Sequence, residues 1–241
     1  MSTAPILRVE ALSKRFRGLL AISDVSFAVE TGSITSVIGP NGAGKSTLFN
    51  LVTGYLPPTA GLVSFKEQPI TGLATNRIAE LGVARAFQIA RPFRDLSVTE
   101  NVRIGALFGK AGARDVAATT RQALELAGMT HLATEPASAL TVGQLRHLEV
   151  ARAIATRADL LLADEPCAGL NPTETAAMID VLRRIRASGV TVVLVEHDMP
   201  SVMEVSDRIL VLESGRLIAD GTPAEVSQNP QVIAAYLGTP D

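Results

Sequence analysis

The stretch from residue 39 to residue 46 constrains this chain more than any other. It reads Gly39-Pro-Asn-Gly-Ala-Gly-Lys-Ser46 and fits the pattern G-x-x-x-x-G-K-[ST]. The apolar segment Ile34–Ile38 precedes it and Lys45–Val52 has helix-forming character, which predicts a strand, a glycine loop and a helix. Such glycines let backbone N–H groups surround a phosphate, and the positive end of the helix favours the same anion. The pattern therefore predicts that Lys45 contacts the β- and γ-phosphates of a nucleotide and that Ser46 binds Mg²⁺.

Two acidic residues follow a second apolar strand. Residues 160–163 are Leu-Leu-Leu-Ala, and they lead directly into Asp164 and Glu165. Mg²⁺ prefers oxygen ligands, so one carboxylate at the end of a strand can hold it while the next accepts a proton from an attacking water. Alone, such a pair is more typical of a solvated loop. Because a phosphate loop is predicted in the same sheet, we assign Asp164 to the metal and Glu165 to the general base.

His197 and Gln88 also come directly after predicted strands. His197 follows residues 190–195, and in open α/β sheets ligands bind outside the carboxyl ends of the strands. An imidazole there can form a hydrogen bond with the γ-phosphate. Gln88 follows the strand-like residues 83–87 and could bind Mg²⁺ or orient water. Either residue alone would be typical of an exposed loop, so both assignments depend on the neighbouring motifs.

Composition excludes several classes of protein. Of 241 residues, 47% are hydrophobic and 19% are charged, and the formal net charge is −2, which is typical of a globular protein and not of a disordered or disulfide-built one. No apolar run approaches the ~18 residues of a membrane span. The single cysteine, Cys167, cannot form an internal disulfide, and we expect it to have a packing role. The balanced charge favours no nucleic-acid partner, and we expect a cytosolic location.

The rest of the pattern alternates between short strands and helices. Residues 6–11, 25–29 and 62–65 predict an antiparallel flap. After residue 145 the pattern predicts a helix from Leu145 to about Thr156, a strand at residues 160–163, a helix at Pro172–Ala187 and a strand at residues 190–195, and this alternation predicts a parallel sheet. The intervening segment is rich in Ala, Leu and Arg at helical spacing. We therefore predict an α/β P-loop NTPase fold. Its catalytic core and flap would comprise about residues 1–88 and 145–241, and a helical subdomain residues 89–144.

The order of these motifs resembles the nucleotide-binding subunit of an ABC transporter, over essentially the whole chain. The resemblance rests on the phosphate loop, Gln88, Leu140-Thr-Val-Gly-Gln144, Asp164-Glu165-Pro166 and His197. The most similar subgroup is the ATP-binding proteins of branched-chain amino acid importers. The segments that indicate this subgroup are Arg85-Ala-Phe-Gln88, Arg91-Pro-Phe-Arg-Asp95, Ala168-Gly-Leu-Asn-Pro172 and residues 221–238. Related subunits for urea, amides and aromatic acids share such segments, so these solutes remain an alternative.

The resemblance implies site residues that the chemistry alone leaves unassigned. Phe16 lies where the family places an aromatic ring on adenine. Residues 140–144 resemble the LSGGQ signature, which implies that Thr141, Gly143 and Gln144 contact ATP held by the opposite subunit. The implied ATP-binding set is Phe16, Gly39, Asn41, Gly42, Ala43, Gly44, Lys45, Ser46 and Thr47. The metal set is Ser46, Gln88 and Asp164, and the catalytic set is Glu165, His197 and Gln88.

The resemblance also implies partners and a location. Two such chains, identical or homologous, would enclose two ATP molecules with Mg²⁺ and drive membrane permease subunits that receive solute from a solute-binding protein. The chain would then lie at the cytoplasmic face of the inner membrane. Asn171 stands where the family usually has Asp, and the lost charge would weaken a contact between the two subunits. Thr141 and Val142 also depart from the common pattern, but Thr141 keeps the hydroxyl.

Two other functions from different classes are compatible with the phosphate loop. One is an ABC ATPase that remodels nucleic acid or ribosomes, which usually contains two cassettes or long coiled coils. The other is an ATP-dependent binding module that does not hydrolyse ATP. The presence of both Glu165 and His197 disfavours the second.

Overall fold

The computed structural model describes residues 4–110 and 115–237, and the chain divides into two units. The first unit is formed by residues 1–75 and 193–241, and the second by residues 76–192. Gly238, the last residue of the segment 221–238 that resembles the branched-chain subgroup, lies outside the described residues. So do residues 111–114, within the predicted helical subdomain.

The described residues contain ten strands and nine α-helices, with two short 3₁₀ turns at Thr130–Leu132 and Ala137–Ala139. In chain order the strands and helices are β1 (Leu7–Phe16), β2 (Leu19–Val29), β3 (Ile34–Ile38), α1 (Lys45–Val52), β4 (Ala60–Phe65), β5 (Gln68–Pro69), α2 (Thr75–Leu81), β6 (Val83–Ala86), α3 (Val98–Phe108), α4 (Val116–Leu126), α5 (Val142–Ala155), β7 (Leu160–Asp164), α6 (Pro172–Ala187), β8 (Thr191–Val195), α7 (Met199–Val205), β9 (Arg208–Glu213), β10 (Arg216–Gly221), α8 (Pro223–Ser227) and α9 (Pro230–Leu237).

The first unit contains an antiparallel sheet in the order β2-β1-β4-β5. These strands are the flap that the sequence predicts, but β1 and β2 are longer than predicted. The register of β1 shifts between Val9 and Leu12, and Ala11 has a φ of 48°. A bulge of this kind breaks the alternation of apolar and polar residues while the strand continues, so the pattern alone ends the strand too early.

A second sheet in the first unit positions the phosphate loop. β3 pairs in parallel with β9, β9 pairs antiparallel with β10, and the end of β8 lies on the other side of β3. All five residues of β3 are buried. A core cluster beneath this sheet holds α7, α8 and α9 against β3 and β9. It consists of Ile38, Val202, Ile209, Val211, Val226 and Val232. The strand that leads into the loop is therefore buried along its whole length and contacts this cluster at its end, through Ile38.

In the second unit, β6 and β7 pair in parallel, with Arg85 opposite Leu162 and Ala86 opposite Ala163. In the same sheet, the start of β8 lies next to β7, on the side opposite β6. Helices α3, α4 and α5 pack against one another. The sequence did not predict α2, because this helix has seven residues and buries only Ile78, which leaves no periodic apolar pattern. In the described part of the chain, no helix has the length and apolar character needed to cross a bilayer.

Candidate functional site

Two glycines of the phosphate loop combine a positive φ with a close approach of neighbouring backbone atoms. Gly39 has a φ of 150° and Gly44 a φ of 106°. A Cβ atom on Gly39 would lie 2.0 Å from the carbonyl oxygen of Leu212, and one on Gly44 would lie 2.8 Å from that of Ala21. Close backbone approach and positive φ therefore both require glycine at these positions.

Helix α1 begins directly after Gly44, and its first turn contains no acidic residue. Gly44 is the N-cap and supplies no side-chain hydrogen bond. The partial positive charge at this helix end is therefore not balanced by a carboxylate of its own first turn, which suits an external anion such as phosphate. Of the predicted ATP-binding residues on the loop, Asn41, Gly42 and Ser46 are exposed.

The side chain of Lys45 folds back over the loop that precedes it. Lys45 is buried, and its Nζ donates hydrogen bonds to the carbonyl oxygens of Gly39 at 2.6 Å and Pro40 at 3.0 Å. A buried ammonium group requires such acceptors. Phosphate oxygens are stronger acceptors because they are ionised, so the ammonium group can exchange these bonds for contacts with a nucleotide.

Two further residues of the predicted nucleotide site, Phe16 and His197, lie in the first unit. Phe16 ends β1 and is 40% exposed, and the Nζ of Lys14 lies 5.1 Å from the centroid of its ring. This ring is thus available for stacking, as a residue of the buried core would not be. His197 is exposed between β8 and α7, and its backbone N–H donates to the carboxylate of Glu196 at 3.1 Å.

In the second unit, Asp164 is the last residue of β7 and is buried. It forms an ion pair with Arg85 of the neighbouring strand, with Nη2 of Arg85 2.5 Å from Oδ2 of Asp164. The two side chains are only 8% and 6% exposed. Sequence reasoning did not identify Arg85 as a partner of the acid pair.

Glu165 and Gln88 are brought together in the same unit. The side-chain amide Nε2 of Gln88 donates a hydrogen bond to Oε2 of Glu165. Glu165 has a φ of 48°, an uncommon conformation for a residue other than glycine, and it is half-buried. Such backbone conformations cluster at functional sites because they aim a side chain in a direction that regular structure would not.

The donor types present fit a magnesium ion that arrives with a nucleotide. Ser46 has a hydroxyl oxygen in the first unit and Asp164 a carboxylate oxygen in the second, and Mg²⁺ at nucleotide sites takes a few protein oxygens of these kinds together with phosphates and waters. In residues 4–110 and 115–237, the structure contains no group of three or more His, Cys, Asp or Glu side chains that could hold a metal. The fit therefore depends on these oxygen donors and not on a closed protein cage.

The signature-like segment forms the N-terminus of α5. The Thr141 hydroxyl accepts a hydrogen bond from the Gln144 backbone N–H at 3.3 Å, and the Gln144 side chain accepts one from the Thr141 N–H at 2.9 Å. This reciprocal capping box starts the helix at Val142, three residues before the start predicted from the sequence. A Cβ atom on Gly143 would lie 2.8 Å from Oε1 of Glu174, so a larger residue at this position would displace the Glu174 side chain at the start of α6.

The structure gives a local reason for Asn171, the residue that departs from the family pattern. Its Oδ1 accepts a hydrogen bond from the backbone N–H of Glu174 at 3.0 Å, and Glu174 Oε2 accepts one from the Asn171 N–H at 3.0 Å. Asn171 is thus the N-cap of α6 in a second capping box, with Pro172 at the first helical position. Asparagine and aspartate cap helices about equally well, so this local role does not need the charge.

Buried polar residues of α3 and α5 hold the segment that follows Gln88, and sequence reasoning did not identify them. Glu149 pairs with Arg152 at 2.8 Å, and Arg152 also donates to the carbonyl of Arg91 at 3.2 Å. The fully buried Asn101 accepts from the Phe93 N–H at 2.8 Å and donates to the Phe93 carbonyl at 3.0 Å. Burial raises the pKa of the Glu149 carboxyl above its ordinary value, although Arg152 partly offsets this. The sequence signal that could have identified Asn101 and Glu149 is a polar residue at a helical position that is buried.

Comparison with known proteins defines the class. The family model for ABC transporter matches residues 22–168, and the one for Branched-chain amino acid ATP-binding cassette transporter matches residues 216–241. The chain belongs to the ABC transporter family and is one of its ATP-binding cassettes, which hydrolyse ATP. The predicted family, fold class and enzyme class are thereby confirmed.

Individual relatives match over nearly their whole length. The high-affinity branched-chain amino acid transport ATP-binding protein BraF of Pseudomonas aeruginosa is 42% identical over 97% of this chain and 98% of its own. The corresponding protein LivG of Escherichia coli is 41% identical, with the same coverage. A solved ATP-binding cassette of an ABC transporter in its ADP conformation has a TM-score of 0.87 at 32% identity, covering 98% of this chain and all of that chain.

Proposed function

We propose that this chain hydrolyses ATP with Mg²⁺ and drives the import of branched-chain amino acids. The observation that carries the choice of solute is the 42% identity to BraF, which extends over 97% of the chain. The match of residues 216–241 to the branched-chain amino acid family supports the same assignment. Importers of urea, amides or aromatic acids remain the second candidate, because their ATP-binding subunits share the segments described above.

The chain's own residues divide the reaction between them. Backbone N–H groups of the phosphate loop and the Lys45 ammonium group bind the phosphates, and Phe16 stacks on the adenine. Ser46 and Asp164 hold the metal, with Gln88 as a further ligand or water-orienting group, and Mg²⁺ when bound neutralises charge on the phosphates. Glu165 accepts the proton of the attacking water, and His197 donates a hydrogen bond to the γ-phosphate.

Hydrolysis in this proposal requires a second ATP-binding subunit. A dimeric structure of another ABC transporter cassette, 25% identical to this chain with a TM-score of 0.80, supports this arrangement. Thr141, Gly143 and Gln144 of one subunit would then contact ATP bound to the other. The exposed Thr141 and the N-terminus of α5 offer hydroxyl and N–H donors for that purpose.

The remaining partners are membrane permease subunits, which receive the solute from a solute-binding protein. The chain would act at the cytoplasmic face of the inner membrane as a peripheral subunit. We propose no nucleic-acid partner, and we propose the division into a core of residues 1–88 and 145–241 and a helical subdomain of residues 89–144.

The test is reconstitution of the complete transporter. The chain is purified together with its permease subunits and placed in proteoliposomes with the cognate binding protein. Leucine, isoleucine and valine should each stimulate ATP hydrolysis, and urea, short amides and phenylalanine should stimulate it far less. The variant Glu165→Gln in the same complex provides the background rate. Stimulation by urea or an aromatic acid alone would contradict the choice of solute but not the ATPase assignment.

A further inference from the structure

We propose that Arg85 is a positioning residue for Asp164, which fixes the carboxylate that receives Mg²⁺. The register of β6 and β7 accounts for the contact. Arg85 lies opposite Leu162, and Asp164 is two residues further along β7, so both point to the same face of the sheet. The long Arg85 side chain bridges this diagonal and reaches Oδ2 of Asp164 at 2.5 Å.

Burial makes this ion pair more than a surface contact. The Arg85 and Asp164 side chains are 8% and 6% exposed, so solvent screens their attraction poorly. A buried carboxylate without a partner is strongly unfavourable. The guanidinium group of Arg85 supplies the compensating positive charge.

The geometry around Arg85 also limits its movement. Its guanidinium carbon lies 4.8 Å from the centroid of the Phe87 ring, one residue before Gln88. Arginine stacks well on aromatic faces, and the ring therefore restricts the plane of the guanidinium group. Arg85 thus contacts both Asp164 and the Phe87 ring, immediately before the Gln88–Glu165 hydrogen bond.

The consequence concerns the metal and rests on the proposed role of Asp164 as a magnesium ligand. A carboxylate has two oxygens, and the ion pair through Oδ2 leaves acceptor capacity on Oδ1. Partners that orient a metal ligand in this way typically change metal affinity 10–100-fold when they are removed. Arg85 would therefore set the affinity for Mg²⁺ without touching the nucleotide.

The experiment compares Mg²⁺ binding in the full-length chain with ADP bound, so that no turnover is needed. ADP affinity is measured in EDTA, and the melting temperature of the ADP-bound protein is then followed as Mg²⁺ is added. We expect Arg85→Met to leave the affinity for ADP in EDTA within about twofold of that of the natural chain. The Mg²⁺ midpoint, which is the Mg²⁺ concentration that gives half of the change in melting temperature, should rise at least about tenfold. Arg77→Met is the matched control, because Arg77 also pairs with a carboxylate, Glu80, at 2.7 Å but is 67% exposed.

Asp164→Asn separates this inference from the proposed function. If Asp164→Asn leaves the Mg²⁺ midpoint unchanged, the metal role of Asp164 fails, and the inference fails with it. If Asp164→Asn raises the midpoint and Arg85→Met does not, Arg85 is only structural. Should Arg85→Met fail to fold, Arg85→Lys replaces it: the retained charge with fewer donors should give a smaller rise, and an unchanged midpoint would overturn the proposal.

The ion pair itself is tested by combining the two changes. Arg85→Met leaves Asp164 as a buried, uncompensated charge, so the melting temperature of the ligand-free protein should fall. Adding Asp164→Asn to Arg85→Met removes that charge, and the melting temperature should recover part of the loss. Strictly additive losses in the double variant would show that the two side chains do not interact in solution.

Discussion

The side-chain amide of Gln88 donates a hydrogen bond to the carboxylate of Glu165. The two residues lie 77 positions apart in the chain, and they meet because β6 and β7 are parallel neighbours. Gln88 also begins the segment that Arg152 and Asn101 hold in place. The general base proposed for ATP hydrolysis is therefore in contact with the first residue of a segment suited to sensing a partner.

The first prediction concerns Glu165. Glu165→Gln keeps the size of the side chain but removes its basicity, so ATP should bind normally while turnover falls at least ~100-fold. An ATP-bound dimer should then accumulate, which size-exclusion chromatography with ATP can detect. Steady-state hydrolysis and equilibrium nucleotide binding are measured together. Glu125→Gln is the matched control, because Glu125 is an exposed glutamate on α4 of the same unit. Near-normal hydrolysis by Glu165→Gln would refute the assignment.

The second prediction concerns Lys45. Lys45→Ala should abolish ATP binding, because the ammonium group that compensates the phosphates is lost. It should also lower the free energy of unfolding of the nucleotide-free protein by roughly 1–3 kcal/mol, since the carbonyls of Gly39 and Pro40 lose a charged donor. That loss corresponds to about 2–4 °C in melting temperature for each kcal/mol in a chain of this size. Calorimetry without nucleotide and titration with ATP measure the two effects separately. Retained ATP affinity would assign Lys45 to the fold alone.

Local signals explain which elements the sequence predicts well. The structure confirms Ile34–Ile38, Lys45–Val52 and Pro172–Ala187 at the predicted bounds. Each carries a signal inside its own segment: a short run of mainly β-branched residues, a glycine loop followed by helix formers, or a proline at the first helical position after a capping residue. The predicted start of α5 at Leu145 is wrong. Thr141 is the N-cap, so the helix begins at Val142, and the sequence alone is compatible with other roles for Thr141.

Contacts between distant segments explain what the sequence did not predict. The sequence indicates Arg85 only as part of a family segment, and its pairing with Asp164 depends on the register of two strands whose partners are 77 residues apart. Asn101 and Glu149 likewise act on backbone groups that lie outside their own helices. No local periodicity encodes such partners, because tertiary packing selects them. Local pattern therefore predicts the phosphate loop and the acid pair but not the residues that contact them.

The third prediction is a pH dependence at Glu149. Burial raises its pKa above the ordinary value of 4.5 that applies to the unfolded chain, so the folded state favours the protonated form. The stability that Glu149 contributes is thus fully present below the unfolded pKa and is lost as pH rises through the folded pKa. Glu149→Gln lacks this titration. The free energy of unfolding of Glu149→Gln, relative to that of the natural chain, should therefore increase as the pH rises from 5 to 7.5. Denaturant unfolding at both pH values measures this difference.

Two comparisons make the Glu149 prediction specific. Glu125→Gln changes an exposed carboxylate and should show the same difference from the natural chain at both pH values. A Glu149→Gln variant that becomes relatively less stable as pH rises would show that the ion pair with Arg152 outweighs the cost of burial.

The fourth prediction concerns the exposed segment that Asn101 and Arg152 hold. Phe93 is 50% exposed although Asn101 fixes its backbone, and Arg152 lies 5.7 Å from the centroid of its ring. Beside it, Arg91, Arg94 and neighbouring residues line a cavity of about 250 Å³. An aromatic residue next to two cations on a rigid segment suits a protein contact. We therefore expect Phe93→Ala with Arg94→Ala to keep basal hydrolysis while losing the stimulation by solute and permease.

The control for this double variant is Phe108→Ala. Phe108 is 78% exposed at the end of α3, so it removes an aromatic ring of the same kind from the same unit. Both variants are assayed for ATP hydrolysis as isolated chains and again in proteoliposomes with permease and loaded binding protein. Because Asn101 bonds Phe93 through backbone atoms, and also bonds the carbonyls of Leu96 and Ser97, truncating the Phe93 side chain should not release the segment. Full stimulation of the Phe93→Ala, Arg94→Ala chain would place the permease contact on another surface, and equal loss in Phe108→Ala would show that any exposed aromatic ring in this unit has the same effect.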